Sequence, residues 1–196
     1  WVSGPVLLAA RQRGIGCLVH EQNVRMGRAN RWLAPWMDRI AVSFKDTQRT
    51  LSGRPAFVTG LPVREGIGRC LRAQAAARFG LEPSAPTLAV LGGSQGARAI
   101  NRLMAQSAQA LTDAERSEWQ FLHLAGTADE SAVREAYAAS GARAWVGAHA
   151  ADMEAVYAVA DVVIARSGAS TIAELARCGL PSVLIPYPHA GAHQRL

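Results

Sequence analysis

Short apolar runs alternate along the chain with longer segments in which apolar residues recur every three or four positions. The short runs, rich in branched residues, predict β-strands at 17–20, 39–43, 56–59, 87–91, 120–124, 143–146, 161–165 and 182–185. The longer segments predict helices at about 1–13, 28–37, 68–79, 97–111, 129–140, 152–159 and 170–178. Strands that are apolar on both faces and alternate with helices are typical of an α/β protein with parallel sheets.

The alternation is interrupted once, at residues 59–66, which contain glycine and proline but no helical or strand periodicity. We interpret this segment as a hinge between two α/β units, which predicts domains at 1–63 and 64–196. The first unit starts with a helix that has no strand before it, and the second stops soon after a strand. We therefore expect a chain that lacks the beginning of one unit and the end of the other.

Composition narrows the class of protein. Apolar residues make up 49% of the 196 positions, which is enough for a buried core and too much for a disordered chain. No apolar run reaches the roughly 20 residues that a membrane-spanning helix needs, and the start of the chain lacks the pattern of a signal peptide. The three cysteines are odd in number and far apart, which argues against disulfides or zinc and fits a reducing cytosol.

The net charge of +6 is unevenly distributed. Residues 1–80 carry 13 basic and 4 acidic side chains, for a net charge of +9, whereas residues 81–196 carry 8 and 11, for −3. This asymmetry suits an anionic partner such as a phosphate or an acidic lipid. The arginines are dispersed and no aromatic residues interleave with them, so we predict no nucleic-acid partner.

Four polar segments follow predicted strands, at the position where open parallel sheets bind their ligands. In the first, residues 91–98 read Leu-Gly-Gly-Ser-Gln-Gly-Ala-Arg. Glycines let the backbone approach a ligand closely, and free N–H groups at the next helix start attract anions. Ser94 has three interpretations: a hydroxyl that contacts phosphate, the nucleophile of a G-x-S-x-G elbow, or a simple N-cap.

The other three segments carry carboxylates, amides and imidazoles. Residues 20–23 read His-Glu-Gln-Asn, which are costly to bury and favour a cleft, although an ordinary polar loop also fits. In the third segment, residues 165–175, Glu174 either completes a capping box with Thr171 or accepts hydrogen bonds from ribose hydroxyls. His189 and His193 are four residues apart, but prolines and a glycine surround them, so we predict no metal site.

These segments occur in the same order in a known family. The chain resembles the MurG family at residues 20–23, 92–98, 166–171, Glu174 and 179–181. The likeness covers nearly the whole chain, and five modest motifs in sequence make a specific combination. MurG enzymes are peptidoglycan N-acetylglucosaminyltransferases that convert lipid I to lipid II.

The resemblance implies an inverting GT-B glycosyltransferase with two Rossmann-like domains, of which the N-terminal one is truncated here. Residues 1–63 would end the acceptor- and membrane-side domain, and residues 64–196 would form the UDP-sugar domain without its C-terminal end. N-acetylglucosamine would move from UDP-GlcNAc to the muramyl 4-hydroxyl of undecaprenyl-linked MurNAc-pentapeptide, for cell-wall synthesis, cell shape and division. Helix N-termini and arginines would neutralise the leaving diphosphate, so the resemblance implies neither a cofactor nor a divalent metal.

The resemblance also assigns site residues. Glu174 would bind the ribose hydroxyls of UDP, Ser94 and Gln95 the diphosphate and sugar, and Gln194 the GlcNAc, while two arginines supply charge. The implied substrate-binding residues are Asn23, Asn30, Arg64, Ser94, Gln95, Asn101, Arg166, Glu174 and Gln194.

On the acceptor side the resemblance implies Glu21, Asn23 and Asn30, with Glu21 as the candidate catalytic residue. The general base is unassigned, because the family's N-terminal glycine-rich loop and its histidine have no counterpart in this sequence. We therefore expect the chain alone to bind the UDP-sugar weakly and not to catalyse transfer.

Three alternatives stay open. The first is a serine hydrolase with Ser94 as nucleophile and His189 or His193 as base, although Asp161 opens its strand and is badly placed as a third member of a triad. The second is another GT-B enzyme, such as a glycolipid glycosyltransferase or a UDP-sugar epimerase. The third is a non-catalytic UDP-sugar-binding subunit.

A lipid-linked acceptor implies a peripheral protein at the cytoplasmic face of the bacterial plasma membrane. The basic N-terminal half suits anionic headgroups. Trp32 and Trp36 would insert there if their rings are exposed, and the alternative is that both pack in a core.

Overall fold

A computed structural model describes residues 2–51, 53, 56–93 and 96–186. Within these residues the chain divides between Pro62 and Val63 into two compact units, each with its own sheet. Every strand pair in both sheets is parallel, which confirms the predicted α/β class.

The first unit has a three-stranded sheet in the order β1-β2-β3. Its elements are α1 (Ser3–Gln12), β1 (Leu18–Glu21), α2 (Arg28–Leu33), a 3₁₀ turn (Ala34–Trp36), β2 (Arg39–Val42), α3 (Lys45–Arg49) and β3 (Ala56–Val58). Ile40 and Val42 lie two residues apart on β2 and are both fully buried, together with Leu33 of α2. This core packs one face of the small sheet against the helices.

The second unit has a five-stranded sheet in the order β6-β5-β4-β7-β8, with β4 at its centre. Its elements are α4 (Arg72–Phe79), β4 (Thr87–Leu91), α5 (Arg98–Ala110), α6 (Asp113–Glu118), β5 (Gln120–Leu124), α7 (Glu130–Ser140), β6 (Arg143–Gly147), α8 (Met153–Val159), β7 (Val162–Arg166), α9 (Ala169–Cys178) and β8 (Ser182–Ile185).

Both faces of the larger sheet are buried at its central strand β4, as the apolar strands predict, whereas the edge strand β8 is largely exposed. Ala89 and Leu91 of β4 belong to a core that includes residues of α4, α8 and α9. Val90, between them, belongs to a second core with residues of α5 and α7. Successive side chains of a strand point to opposite faces, so a central strand in such a sheet is apolar at every position.

The structure corrects several predicted helices. The helix predicted over 28–37 ends at Leu33 and tightens into a 3₁₀ turn that contains Pro35, because proline has no N–H to continue the α-helix. The helix predicted from 68 begins only at Arg72. Two short helices, α3 and α6, were not predicted. They are polar segments of five and six residues, and α6 is held by a capping box between Thr112 and Glu115.

Among the described residues, no helix has the length and apolar character needed to cross a membrane.

Candidate functional site

The glycine-rich turn and the turn before α9 leave the larger sheet side by side. Strands β4 and β7 are parallel neighbours, with Leu91 paired to Ala165, so the segments that follow them emerge at the same edge. Helix α5 follows the first turn and helix α9 follows the second. Neither helix has a side-chain N-cap among the described residues. This edge therefore presents two uncapped helix N-termini, which favour a bound anion.

The glycine-rich turn can follow its path only with glycine at two positions. Gly96 has φ of 73°, and a Cβ on it would lie 2.4 Å from the carbonyl oxygen of Ala125. A Cβ on Gly92 would lie 2.8 Å from the backbone nitrogen of Ala97. The approach at Gly96 sets the turn against the segment that follows β5, and the approach at Gly92 closes the turn on itself. The turn residues Ser94 and Gln95 lie outside the described residues, as does Gln194, and their predicted roles stay predictions.

Glu174 lies on α9 with only 16% of its side chain exposed. Its Oε2 accepts a hydrogen bond of 2.7 Å from the hydroxyl of Tyr157, and its Oε1 lies 3.8 Å from Nη2 of Arg64. The capping-box interpretation is wrong, because α9 begins at Ala169 and Thr171 is already its third residue. The carboxylate is therefore not committed to its own helix and is free to serve the edge of the sheet.

Tyr157, on α8, is a site residue that the sequence analysis missed. It is 3% exposed, and burial raises the pKa of its hydroxyl far above the ordinary value, with the Glu174 carboxylate raising it further. The hydroxyl is therefore protonated and acts as the donor to Glu174. A tyrosine within an apolar helix is normally interpreted as a core residue, so no local signal in the sequence indicates a hydrogen-bond partner 17 residues away.

Arg166 and Ser167 lie at the end of β7, before α9. Arg166 is the last residue of the strand and is half-buried. The hydroxyl of Ser167 is buried and has no hydrogen-bond partner among the residues that the structure describes. A buried hydroxyl without a partner is costly, so its position beside the two helix N-termini suits a ligand contact.

Asn101, predicted to bind substrate, is buried in a hydrogen-bond network between α5, β5 and α7. Its amide nitrogen donates to the carbonyl oxygen of Ala125 at 2.9 Å and to Oδ2 of Asp129 at 2.8 Å. Its amide oxygen lies 3.0 Å from Nε2 of His123, so this ring nitrogen is the donor. The network anchors Ala125, the residue that Gly96 touches, and so links Asn101 to the glycine-rich turn.

His123 completes this network as a neutral ring. Its Nδ1 lies 3.3 Å from the hydroxyl of Tyr137, which donates because the other ring nitrogen carries the proton. Burial lowers the pKa of His123 to about 4. The ring is fully buried on the same face of β5 as Phe121. It therefore has a structural role and is not exposed at the sheet edge.

On the first unit, Glu21 ends β1 and is 2% exposed. Its Oε1 accepts hydrogen bonds from the backbone and side-chain nitrogens of Asn23, at 2.9 and 3.0 Å. Its Oε2 accepts from the backbone of Gly27 at 2.8 Å and from Nδ2 of Asn30 at 3.0 Å. Burial acts to raise the pKa of Glu21, but these four bonds outweigh it and lower the pKa. The structure thus brings the three predicted acceptor-side residues together.

Two further predictions concern polar residues elsewhere. His20 is tied to the backbone, with Nε2 3.0 Å from the carbonyl oxygen of Gly60. Asp161 precedes β7 at the opposite end of the sheet from the glycine-rich turn, where it pairs with Arg72 at 2.7 Å and accepts from the backbone of Thr87. It cannot complete a triad with a nucleophile at residue 94.

Among the described residues, no group of three or more His, Cys, Asp or Glu side chains could hold a metal.

The chain matches two models of protein families. The model of the glycosyltransferase family 28 C-terminal domain matches residues 87–196. The model of the glycosyltransferase family 28 N-terminal domain matches residues 1–42. The two matches fall in the same order as the two predicted units.

Similar proteins are found among curated sequences and solved structures. Enzymes named UDP-N-acetylglucosamine–N-acetylmuramyl-(pentapeptide) pyrophosphoryl-undecaprenol N-acetylglucosamine transferase are 40% identical in Syntrophotalea carbinolica and 41% in Chlorobaculum tepidum, over 99% and 100% of this chain. Each alignment covers 52% of the relative, so the chain spans about half the length of these proteins. The crystal structure of Acinetobacter baumannii MurG matches with a TM-score of 0.74 and 28% identity, over 100% of this chain and 53% of that one.

Proposed function

Because this chain belongs to glycosyltransferase family 28, as a sequence of the MurG type, we propose that it forms the UDP-GlcNAc-binding part of an enzyme that makes lipid II. The transferred group is N-acetylglucosamine, and the acceptor is the muramyl 4-hydroxyl of lipid I. The relatives' names support the reaction, and the edge of the larger sheet supports the donor.

The observation that carries this proposal is the pairing of β4 with β7. It sets two helix N-termini at one edge, neither capped by a side chain of the described residues, where two phosphate groups can accept hydrogen bonds from the backbone N–H groups. Glu174 comes from the same edge, one turn into α9. A diphosphate joined to a ribose has this combination of charge and hydroxyl groups.

In this proposal the residues of the second unit have distinct roles. The carboxylate of Glu174 accepts hydrogen bonds from ribose, while Arg64 and Arg166 offset the charge that develops on the leaving UDP. Ser94, Gln95 and Gln194 contact the diphosphate and sugar. Asn101 acts from a distance, since both its amide hydrogens are taken by Ala125 and Asp129.

On the acceptor side, the contacts of Glu21 favour a positioning role. A carboxylate with four hydrogen bonds and a lowered pKa is a poor proton acceptor. We infer that Glu21 holds the segment 22–30 in shape, so that this segment rather than the carboxylate meets the acceptor. Proton abstraction from the muramyl hydroxyl belongs to a residue that remains unassigned.

The donor proposal is tested by thermal unfolding of the chain with nucleotides. UDP at about 100 times its Kd should add about 2.7 kcal/mol of stability and raise the Tm, because it binds only the folded chain. ADP and GDP at the same concentration should raise the Tm less. A Tm that UDP leaves unchanged, or that all three nucleotides raise equally, contradicts the proposal.

We also propose that the first unit binds the membrane surface peripherally, at the cytoplasmic face, where a lipid-linked acceptor is reached. The rings of Trp32 and Trp36 lie 5.0 Å apart as an edge-to-face pair, 55% and 36% exposed, which favours the exposed interpretation over a core pair. Arg28 and Arg31 on the same helix are exposed as well. Aromatic rings beside cations suit an anionic headgroup layer.

Vesicle sedimentation tests the membrane proposal. The chain should sediment with vesicles that contain phosphatidylglycerol and should be released by high salt. Trp32→Ala should weaken this binding several-fold, whereas Phe57→Ala, at an equally exposed ring on β3, should not. Equal binding to neutral vesicles, or equal effects of the two variants, argues against a site at the tryptophan pair.

A further inference from the structure

A buried tyrosine sets the direction in which the carboxylate of Glu174 points. Tyr157 belongs to the core that α8 and α9 share beneath the larger sheet, in which Val156 is fully buried and Leu175 is 3% exposed. The phenol ring is therefore fixed by packing on all sides. Its hydroxyl ends 2.7 Å from Oε2 of Glu174, a distance typical of a strong hydrogen bond to an ionised group.

The two oxygens of the carboxylate have different surroundings. Oε2 faces the tyrosine and is occupied by its proton. Oε1 lies 3.8 Å from the guanidinium of Arg64, too far for a hydrogen bond, and that side chain is 52% exposed. Of the described residues, only Tyr157 donates a hydrogen bond to Glu174. One oxygen is thus held by the core, and no hydrogen-bond donor in the described part of the chain contacts the other.

We propose that Tyr157 is a positioning residue that holds Oε1 of Glu174 toward the pentose of the nucleotide, and so sets the preference for ribose over deoxyribose. This inference rests on the proposed donor site. A carboxylate held at one oxygen cannot rotate to meet a different ligand, so it adds affinity only for a ligand with a hydroxyl at one position. A ligand without that hydroxyl leaves Oε1 desolvated and unpaired, which costs affinity.

The test is to measure Kd for UDP, 2′-deoxy-UDP and 3′-deoxy-UDP by calorimetry, for the unmodified chain and for its Tyr157→Phe variant. The chain should bind UDP about tenfold more tightly than at least one deoxy analogue, the usual discrimination from a hydrogen bond to a charged group. Tyr157→Phe keeps the ring in the core and removes only the hydroxyl. It should weaken UDP severalfold and the deoxy analogue much less, so that the ratio of the two Kd values falls toward one.

Tyr137→Phe is the matched control. Tyr137 is also a fully buried tyrosine of the second unit, and its hydroxyl lies 3.3 Å from His123 and has no contact with Glu174. Both variants lose one buried hydroxyl, so a general loss of stability should affect them alike, and their Tm values record it. Tyr137→Phe should keep the ribose preference of the parent chain.

A double variant covers the case in which Tyr157→Phe changes the fold. In a Glu174→Gln background the ribose preference should already be small, and adding Tyr157→Phe should not lower it further, since the two residues act as one unit. A parent chain that binds no UDP overturns the proposed function itself. A chain that binds UDP but keeps its ribose preference in Tyr157→Phe, or loses it equally in Tyr137→Phe, or never had one, overturns this inference alone.

Discussion

Glu21 is buried at the end of β1 and Glu174 is half-buried on α9, and the two carboxylates have opposite hydrogen-bonding environments. Glu21 accepts four hydrogen bonds, all from residues 23–30 of its own segment. From the described residues Glu174 accepts one, from Tyr157 on a different helix, and its Oε1 accepts none. The first carboxylate is used to build a loop, whereas the second is held at one oxygen by the core, as the proposed donor site requires.

The difference shows that burial and position do not tell what a carboxylate does. Both residues are acidic side chains in motifs at strand ends, and both resemble positions of the same family. What separates them is the number of donors already in contact, because a carboxylate has about four acceptor sites to fill. A carboxylate with all its acceptor sites filled stabilises structure, and one with sites to spare is available to a ligand.

Replacing each of the two carboxylates by its isosteric amide tests this contrast directly and gives the largest expected change in stability. Glu21→Gln turns an acceptor into a donor that faces two of its four donors, so the free energy of unfolding should fall by about 3 kcal/mol. Glu174→Gln keeps an oxygen for Tyr157 and should cost less than about 1 kcal/mol, while it weakens UDP binding. Chemical denaturation followed by circular dichroism measures the first, and calorimetry the second.

The control for these substitutions is Glu65→Gln, at a carboxylate that is 81% exposed and paired with Arg69. It should change the free energy of unfolding by less than about 0.5 kcal/mol, as surface ion pairs usually do. If Glu174→Gln destabilised the chain as much as Glu21→Gln, the two carboxylates would both be structural. The donor site would then lose its ribose-binding group.

A smaller effect on stability is expected at His123, whose hydrogen-bonding groups, like those of Glu21, already have partners inside the protein. Its pKa of about 4 in the folded chain lies below the ordinary 6.5, so between these values the unfolded chain binds more protons. The free energy of unfolding should therefore fall as the pH drops from about 6.5 to 4, by up to about 3 kcal/mol and by about half of that near pH 5.5. Denaturation at several pH values measures this slope.

His123→Gln should flatten that slope, because the group that gains a proton on unfolding is gone. His149→Gln removes an exposed imidazole and should leave the slope as it is. A slope that both variants keep would mean that His123 does not account for the acid sensitivity. The buried network around Asn101 would then need a different description.

Much of the fold was predictable from local patterns. The eight apolar runs became eight parallel strands, because β-branched and aliphatic residues bounded by turn residues specify buried strands wherever helices separate them. The likeness of the motifs to one family was also sufficient for the predicted GT-B fold and MurG recognition, which the comparisons confirm. The short helices α3 and α6 were not predicted, because five or six polar residues are too few to show a helical periodicity.

The candidate site was only partly predictable. Glu174 was identified, yet its capping-box interpretation failed because that pattern depends on where the helix begins, and α9 begins at Ala169. Tyr157 was missed, since nothing near it in the sequence marks its hydroxyl as a donor to Glu174. Asn101 was placed in the site, whereas its amide hydrogens are used inside the protein.

The alternation of strands and helices, and the polar residues at the strand ends, follow from local patterns because those features depend on neighbours along the chain. Which of those polar groups keep hydrogen-bonding capacity to spare is visible only in the folded molecule. Hydrogen-bonding capacity is filled by partners from other elements, as Tyr157 does for Glu174 and His123 does for Asn101. Such partners are set by packing, which brings together residues that no local pattern connects.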